Sequence, residues 1–144
     1  MAKVLYTAEA SVSGGRAEGH GKTSDGALEV DLRPPEEMGG PGGGTNPEQL
    51  FAVGYAACFE SALAVSARRA RVEAGDAEID SKVKLLPTQE GGFELAVELD
   101  VRLPSIDESS EAVDLVRTAH KVCPYSNATR GNIEVALTAN GEPV

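Results

Sequence analysis

Thr45-Asn46-Pro47-Glu48-Gln49-Leu50-Phe51-Ala52-Val53-Gly54-Tyr55-Ala56-Ala57-Cys58-Phe59 is the stretch on which the fold of this chain turns. Asn46 suits an N-cap, because its side-chain oxygen can take a backbone N–H that has no partner within the helix. Pro47 follows at the first helical position, where its missing N–H costs nothing. Glu48 puts negative charge at the positive end of the helix dipole, and Gln49 stands three residues after the cap. The helix is expected to run to about residue 74 and stop at Gly75, with Arg68, Arg69 and Arg71 near its C-terminal end. Residues 50–59 carry no charge on any side. Such a helix is buried all round, either by its own sheets or by a second subunit.

Upstream, residues 3–13 mostly alternate, with Val4, Tyr6 and Val12 on one face, and end at the turn Gly14-Gly15. A second strand is expected at residues 16–23 and a third at 27–33, divided by Asp25-Gly26. Residues 34–44, rich in Pro and Gly, read as a loop. Downstream, residues 77–86 and 93–103 form a hairpin around Glu90-Gly91-Gly92. Phe93, Leu95, Val97, Leu99, Val101 and Leu103 share one face of its second arm, which Pro104 ends. Residues 107–122 place Ala112, Leu115, Val116 and Ala119 at helical spacing. One further helical turn is expected at 124–130 and a last strand at 131–139. The order βββ-α-ββ-α-β predicts an α+β fold in a single domain, residues 1–144.

Bulk properties narrow the function. At 144 residues, 41% hydrophobic and 25% charged, the composition is that of one globular domain. The net charge of −10 repels phosphates and argues against nucleic acid. Three Tyr, three Phe and no Trp leave little material for base stacking. No signal peptide is legible, and no uncharged run reaches the roughly 18 residues of a membrane span. A cytoplasmic location without membrane attachment is the expectation. There thiols stay reduced, and a disulfide is transient rather than structural.

The chain holds two cysteines. Cys58 lies inside the uncharged helix, and Cys123 opens Val122-Cys123-Pro124-Tyr125-Ser126. They are too far apart for a C-x-x-C hairpin or a local zinc knuckle, yet could meet in the fold as nucleophile and resolving partner. Each also reads as a small buried hydrophobe. An apolar mid-helix site raises a thiol pKa, so reactivity at Cys58 calls for a nearby cation. Arg16, just after the Gly-Gly turn, is the candidate, and Glu48 could hold its guanidinium bidentately. A solvated charge and a simple helix N-terminal charge are the plainer readings of these two. Glu48 and Cys58 are ten residues apart, about 15 Å along a regular helix. One helix therefore cannot bring its own Glu48 to its own thiol. A partner subunit's Glu or a bridging Arg must span the gap, and together with the apolar helix this favours a dimer with composite sites.

Other chemistries find less support. Gly39-Gly40-Pro41-Gly42-Gly43-Gly44-Thr45 looks like a phosphate cradle but lacks the Walker Lys; its glycines suit sharp turns and close backbone approach. His120 and Cys123 have metal-like spacing, with only His20 and Cys58 as further obvious ligands. A cysteine-dependent hydrolase with His120 as base and a non-enzymatic carrier of small hydrophobic ligands are the other classes the residues allow.

Six segments together resemble one family. They are Leu5-Tyr6-Thr7-Ala8, Gly14-Gly15-Arg16, Ser24-Asp25-Gly26, Gly44-Thr45-Asn46-Pro47-Glu48-Gln49-Leu50-Phe51, Gly54-Tyr55-Ala56-Ala57-Cys58-Phe59, and Val122-Cys123-Pro124-Tyr125-Ser126-Asn127-Ala128-Thr129-Arg130-Gly131-Asn132. In this order they resemble the organic hydroperoxide resistance proteins, within the group that includes osmotically inducible protein C. The resemblance implies antiparallel sheets packed around a long buried central helix in an intertwined homodimer. It implies a thiol peroxidase with Cys58 peroxidatic, Cys123 resolving, Arg16 activating the thiolate and Glu48 orienting Arg16. It further implies organic hydroperoxides as substrates, fatty-acid hydroperoxides included, and a dihydrolipoyl group on a lipoylated protein as external reductant. No metal and no bound cofactor are expected.

Overall fold

The computed structural model describes residues 2–144, and its backbone divides into two compact units, the first ending at Leu50 and the second spanning Phe51–Val144. The first unit holds a three-stranded antiparallel meander, β1 (Ala10–Ser13), β2 (Gly19–Thr23) and β3 (Glu29–Leu32), in the order β1-β2-β3. Its register pairs Ser13 with His20 and His20 with Asp31. The His20 ring bridges Asp31 (2.9 Å) and Glu29 (2.8 Å) across the β2–β3 pair. The loop that follows carries a 3₁₀ turn at Glu36–Met38 and closes on β3 through a Leu32–Thr45 bridge. Gly40 makes that closure possible: a Cβ there would lie 2.3 Å from the Pro34 carbonyl oxygen.

Two expectations for this unit shift. The first strand begins at Ala10, not near residue 3, because β2 is long enough to pair only Ala10–Ser13 and a strand needs a neighbour. Val4, Leu5 and Tyr6 are left 73%, 95% and 78% exposed. The second strand begins at Gly19, which puts Arg16 within the turn at residues 14–18 and not on a strand.

Helix α1 (Pro47–Ala70) starts as its sequence dictates. The Asn46 side chain accepts the Gln49 N–H at 2.8 Å, and the Asn46 carbonyl accepts that of Leu50. The helix ends at Ala70, four residues before the expected stop. Arg71 turns left-handed (φ 58°), Val72 N–H reaches the Ala67 carbonyl at 2.9 Å and Arg71 N–H that of Arg68 at 3.3 Å. This is a Schellman ending, with Arg standing where Gly is usual. By length and composition α1 could cross a membrane, but its Tyr55, Phe59, Ala62, Leu63 and Ala67 pack into a protein core. All-round burial does not hold within one chain. The buried residues form one stripe, and Val53 is 71% exposed.

The second unit builds its sheet in the order β4-β5-β6-β7 from β4 (Glu78–Pro87), β5 (Phe93–Arg102), β6 (Val135–Ala139) and β7 (Glu142–Pro143). The β4–β5 hairpin is antiparallel, but β5 and β6 run parallel, so the sheets are not antiparallel throughout. The reason is the crossover: α2 (Ser109–Val122) and α3 (Pro124–Thr129) lie between β5 and β6 and return the chain to the same end. Val97, Leu99, Val101 and Leu103 are buried as the alternation requires, while Phe93 at the hairpin end is 73% exposed. Ala112, Leu115, Val116 and Ala119 face the same core from α2. Each large side chain there contributes about 1.5–3 kcal/mol by leaving water.

Candidate active site

Cys123 sits where α2 gives way to α3, and Pro124 is the reason. Proline disfavours helical backbone in the residue before it, so Cys123 takes φ −63°, ψ 122° and breaks one helix from the next. Cys123 N–H still closes α2 on the Ala119 carbonyl, and its own carbonyl accepts the Asn127 N–H of α3. The thiol of this junction residue is fully buried and points at α1. Its sulfur lies 3.7 Å from that of Cys58, and both cysteines are reduced.

Burial pushes the Cys58 thiol above its ordinary pKa. The Tyr125 backbone N–H pulls the other way, and the adjacent Cys123 sulfur adds to the rise. Left to these influences, Cys58 is a thiol at neutral pH. A close cation is what would make it a thiolate.

Arg16 and Glu48, remote in sequence, form a two-pronged ion pair within one chain. Arg16 Nη2 donates to Glu48 Oε1 at 3.0 Å and Nη1 to Oε2 at 3.4 Å. The Glu48 side chain is 15% exposed and the Arg16 side chain 45%, so the guanidinium is held on one edge and open on the rest. Glu48 occupies the first turn of α1, where the helix dipole also favours its charge.

His120, the base of the hydrolase reading, lies on the last turn of α2. Burial, with the Arg130 charge beside it, holds its pKa below the ordinary imidazole value, and its Nδ1 is buried with no hydrogen-bond partner among the described residues. Arg130 itself donates to the His120 carbonyl and to Asn127 Oδ1. Among the described residues, no three His, Cys, Asp or Glu side chains cluster as metal ligands.

Three features around the sulfurs escaped the sequence reading. The Tyr55 hydroxyl, one turn before Cys58, meets Ser126 Oγ at 2.8 Å and Thr129 Oγ1 at 3.2 Å. Phe51, Tyr55 and Tyr125 form an aromatic cluster with ring centroids 5.6–5.8 Å apart. Gly54 lets Tyr125 settle on α1, since a Cβ at that position would lie 2.9 Å from the Tyr125 hydroxyl. Apart from the Phe51–Tyr55 pair, which sits at i,i+4 spacing on α1, these pairings join residues remote in sequence, and no spacing rule points to them.

Comparison with known proteins agrees with this arrangement of elements. Residues 40–138 match the family of OsmC-like proteins. An organic hydroperoxide resistance protein of Xanthomonas axonopodis pv. citri (strain 306) is 54% identical over 140 residues, covering 94% of this chain and 95% of its own. The OhrB organic hydroperoxide resistance protein of Bacillus subtilis (strain 168) is 46% identical over 134 residues, with 92% and 96% covered. The crystal structure of organic hydroperoxide resistance protein OsmC from Legionella pneumophila superposes with a TM-score of 0.89 at 51% identity, covering 94% of this chain and 97% of that one. With family model, sequence relatives and α+β architecture in agreement, the chain belongs to the OsmC-like family, on the branch of the organic hydroperoxide resistance proteins.

Proposed function

We propose that this protein is a cysteine peroxidase that protects against organic hydroperoxides, fatty-acid hydroperoxides included, by reducing them to alcohols. The observation that carries the proposal is the 3.7 Å approach of Cys58 and Cys123, two free thiols brought together from distant parts of the chain. A pair so placed can exchange two electrons by making and breaking one bond.

In this reading Arg16 offsets the desolvation that raises the Cys58 pKa and holds the sulfur as thiolate, while Glu48 fixes the guanidinium. The thiolate attacks the distal oxygen of the hydroperoxide and the O–O bond breaks. The alkoxide leaves, takes a proton and departs as alcohol, and Cys58 becomes a sulfenic acid. The Cys123 sulfur then displaces that hydroxyl as water, forming the Cys58–Cys123 disulfide and sparing Cys58 from further oxidation. A dihydrolipoyl group carried on a lipoylated protein reduces the disulfide by exchange and is itself closed to the cyclic lipoyl disulfide. An alkyl substituent on the peroxide suits the apolar surroundings of Cys58, which favours such substrates over hydrogen peroxide.

The working unit in this proposal is an intertwined homodimer with sites completed across subunits. Val4, Leu5, Tyr6, Val12 and Val53 are all more than half exposed in the single chain. An apolar hollow of about 120 Å³ lies among Val12, Leu28, Val30, Leu32 and Leu50. Surfaces of this kind are covered by association. The test is consumption of cumene hydroperoxide with dihydrolipoamide as donor. Cys58→Ser should be inactive, and Cys123→Ser should reduce one equivalent per chain and then stall or over-oxidise. Retained turnover in Cys58→Ser removes the proposal.

A further inference from the structure

Tyr55 is buried to 0% exposure in an apolar core, and a phenol hydroxyl there is costly unless it is hydrogen-bonded. Its partners are two more buried hydroxyls, Ser126 (0% exposed) and Thr129 (6% exposed). The three satisfy one another, with Tyr55 Oη central and Thr129 Oγ1 also donating to the Ser126 carbonyl at 3.3 Å. Closed polar networks of this kind are rigid, because each member that is lost strands the others without water.

The position of the network matters more than its strength. Tyr55 stands three residues before Cys58 on α1, and Ser126 three residues after Cys123 on α3. Each end of the link is therefore about one turn from a sulfur. Cys123 belongs to α3 through Asn127 N–H, so wherever α3 is seated on α1, the Cys123 sulfur goes with it. Tyr125, against Gly54 and 5.6 Å from the Tyr55 ring, makes a second point of attachment beside the first.

We propose that Tyr55 is a positioning residue for disulfide chemistry: its hydroxyl latches α3 to α1 through Ser126 and Thr129 and so holds the two sulfurs at closing distance. The latch sets how fast the Cys58–Cys123 bond forms, and it touches neither reacting atom. Its consequence in turnover rests on the peroxidase reading above. A well-seated Cys123 captures the sulfenic acid before a second hydroperoxide can carry it to the sulfinic acid. The latch itself belongs to the reduced protein and is testable without any peroxide.

The experiment uses Tyr55→Phe, with Ser126→Ala as a second variant in case the first folds poorly. Leu63→Ala serves as a control that weakens the same core away from the hydroxyls. Diamide, which takes two electrons and two protons from the dithiol to become its hydrazine form, drives closure. The rate is read by mass spectrometry of alkylated protein. Closure in Tyr55→Phe and in Ser126→Ala should slow five- to tenfold, about what one net buried hydrogen bond is worth. The double variant should slow little further, because the groups act as a unit. Leu63→Ala, although less stable, should close at the wild-type rate. Wild-type closure in Tyr55→Phe, or equal slowing in Leu63→Ala, overturns the proposal. In a second arm, cumene hydroperoxide should give severalfold more Cys58 sulfinic acid per turnover in Tyr55→Phe than in wild type. Slowed diamide closure without any hydroperoxide-driven oxidation of Cys58 upholds the latch and rejects the peroxidase reading, so the two fail separately.

Discussion

Oxidation of the two thiols should stabilise the fold strongly, and the size of the effect follows from the structure. The sulfurs stand 3.7 Å apart and must approach to about 2.05 Å to bond. Cys58 and Cys123 are 65 residues apart in sequence, so the bond closes a long loop in the unfolded chain. The chain-entropy relation puts the loss of unfolded-state freedom at about 4 kcal/mol, from which any native strain is subtracted. For a chain of this size each kcal/mol moves the melting temperature by about 2–4 °C, so the full effect is roughly 8–16 °C. The assay is thermal unfolding by circular dichroism, with a phosphine reductant present or after stoichiometric diamide. Cys123→Ser is the control and should melt alike under both conditions. A gain of less than about 1 kcal/mol, or a loss, would refute the reasoning. It would mean that native strain consumes the entropic gain, and that the segments are not seated to be joined.

Other consequences are smaller but as definite. Replacing Arg71 by Gly should raise stability by about 0.5–1 kcal/mol, because the left-handed φ of 58° strains any residue with a Cβ; denaturant unfolding with no gain would remove the strain argument. Asn46→Ala should cost about 1 kcal/mol by stranding the Gln49 N–H at the start of α1, as read by the same unfolding curves. The chain has two histidines, and NMR titration should place them on opposite sides of 6.5. His20, held protonated by Asp31 and Glu29, titrates above it, and its stabilising contribution is full below pH 6.5 and lost as pH rises through the folded value. His120, kept neutral by burial, titrates below it, and stability falls as pH drops from 6.5 through its folded value. If Arg16 activates Cys58, Arg16→Ala should move the midpoint of Cys58 alkylation to higher pH, and an unchanged profile rejects that role.

What was legible in the sequence was whatever local chemistry decides. Asn46 and Pro47 announced the start of α1 because a cap and a prolyl N1 act within four residues. The period of Ala112, Leu115, Val116 and Ala119 named the buried face of α2, and all four are in the core. The end of α1 is not legible, because its stop is Arg71, a residue type that seldom goes left-handed, whereas Gly75 offers a conventional stop a few residues on. Strand limits near the N-terminus do not follow from alternation, which shows that a segment can be a strand, while only a partner makes it one. The parallel β5–β6 pairing and the Tyr55–Ser126–Thr129 link are tertiary facts. The latter joins residues 71 and 74 positions apart, and no pattern along the chain encodes it.

The central claim is that Cys58 and Cys123 cycle between dithiol and disulfide at the expense of an alkyl hydroperoxide. Titration of free thiols after adding one equivalent of cumene hydroperoxide per chain tests it most directly. The account predicts that both thiols disappear together and that dihydrolipoamide restores both. Loss of one thiol alone, or two thiols untouched by the hydroperoxide, would contradict it.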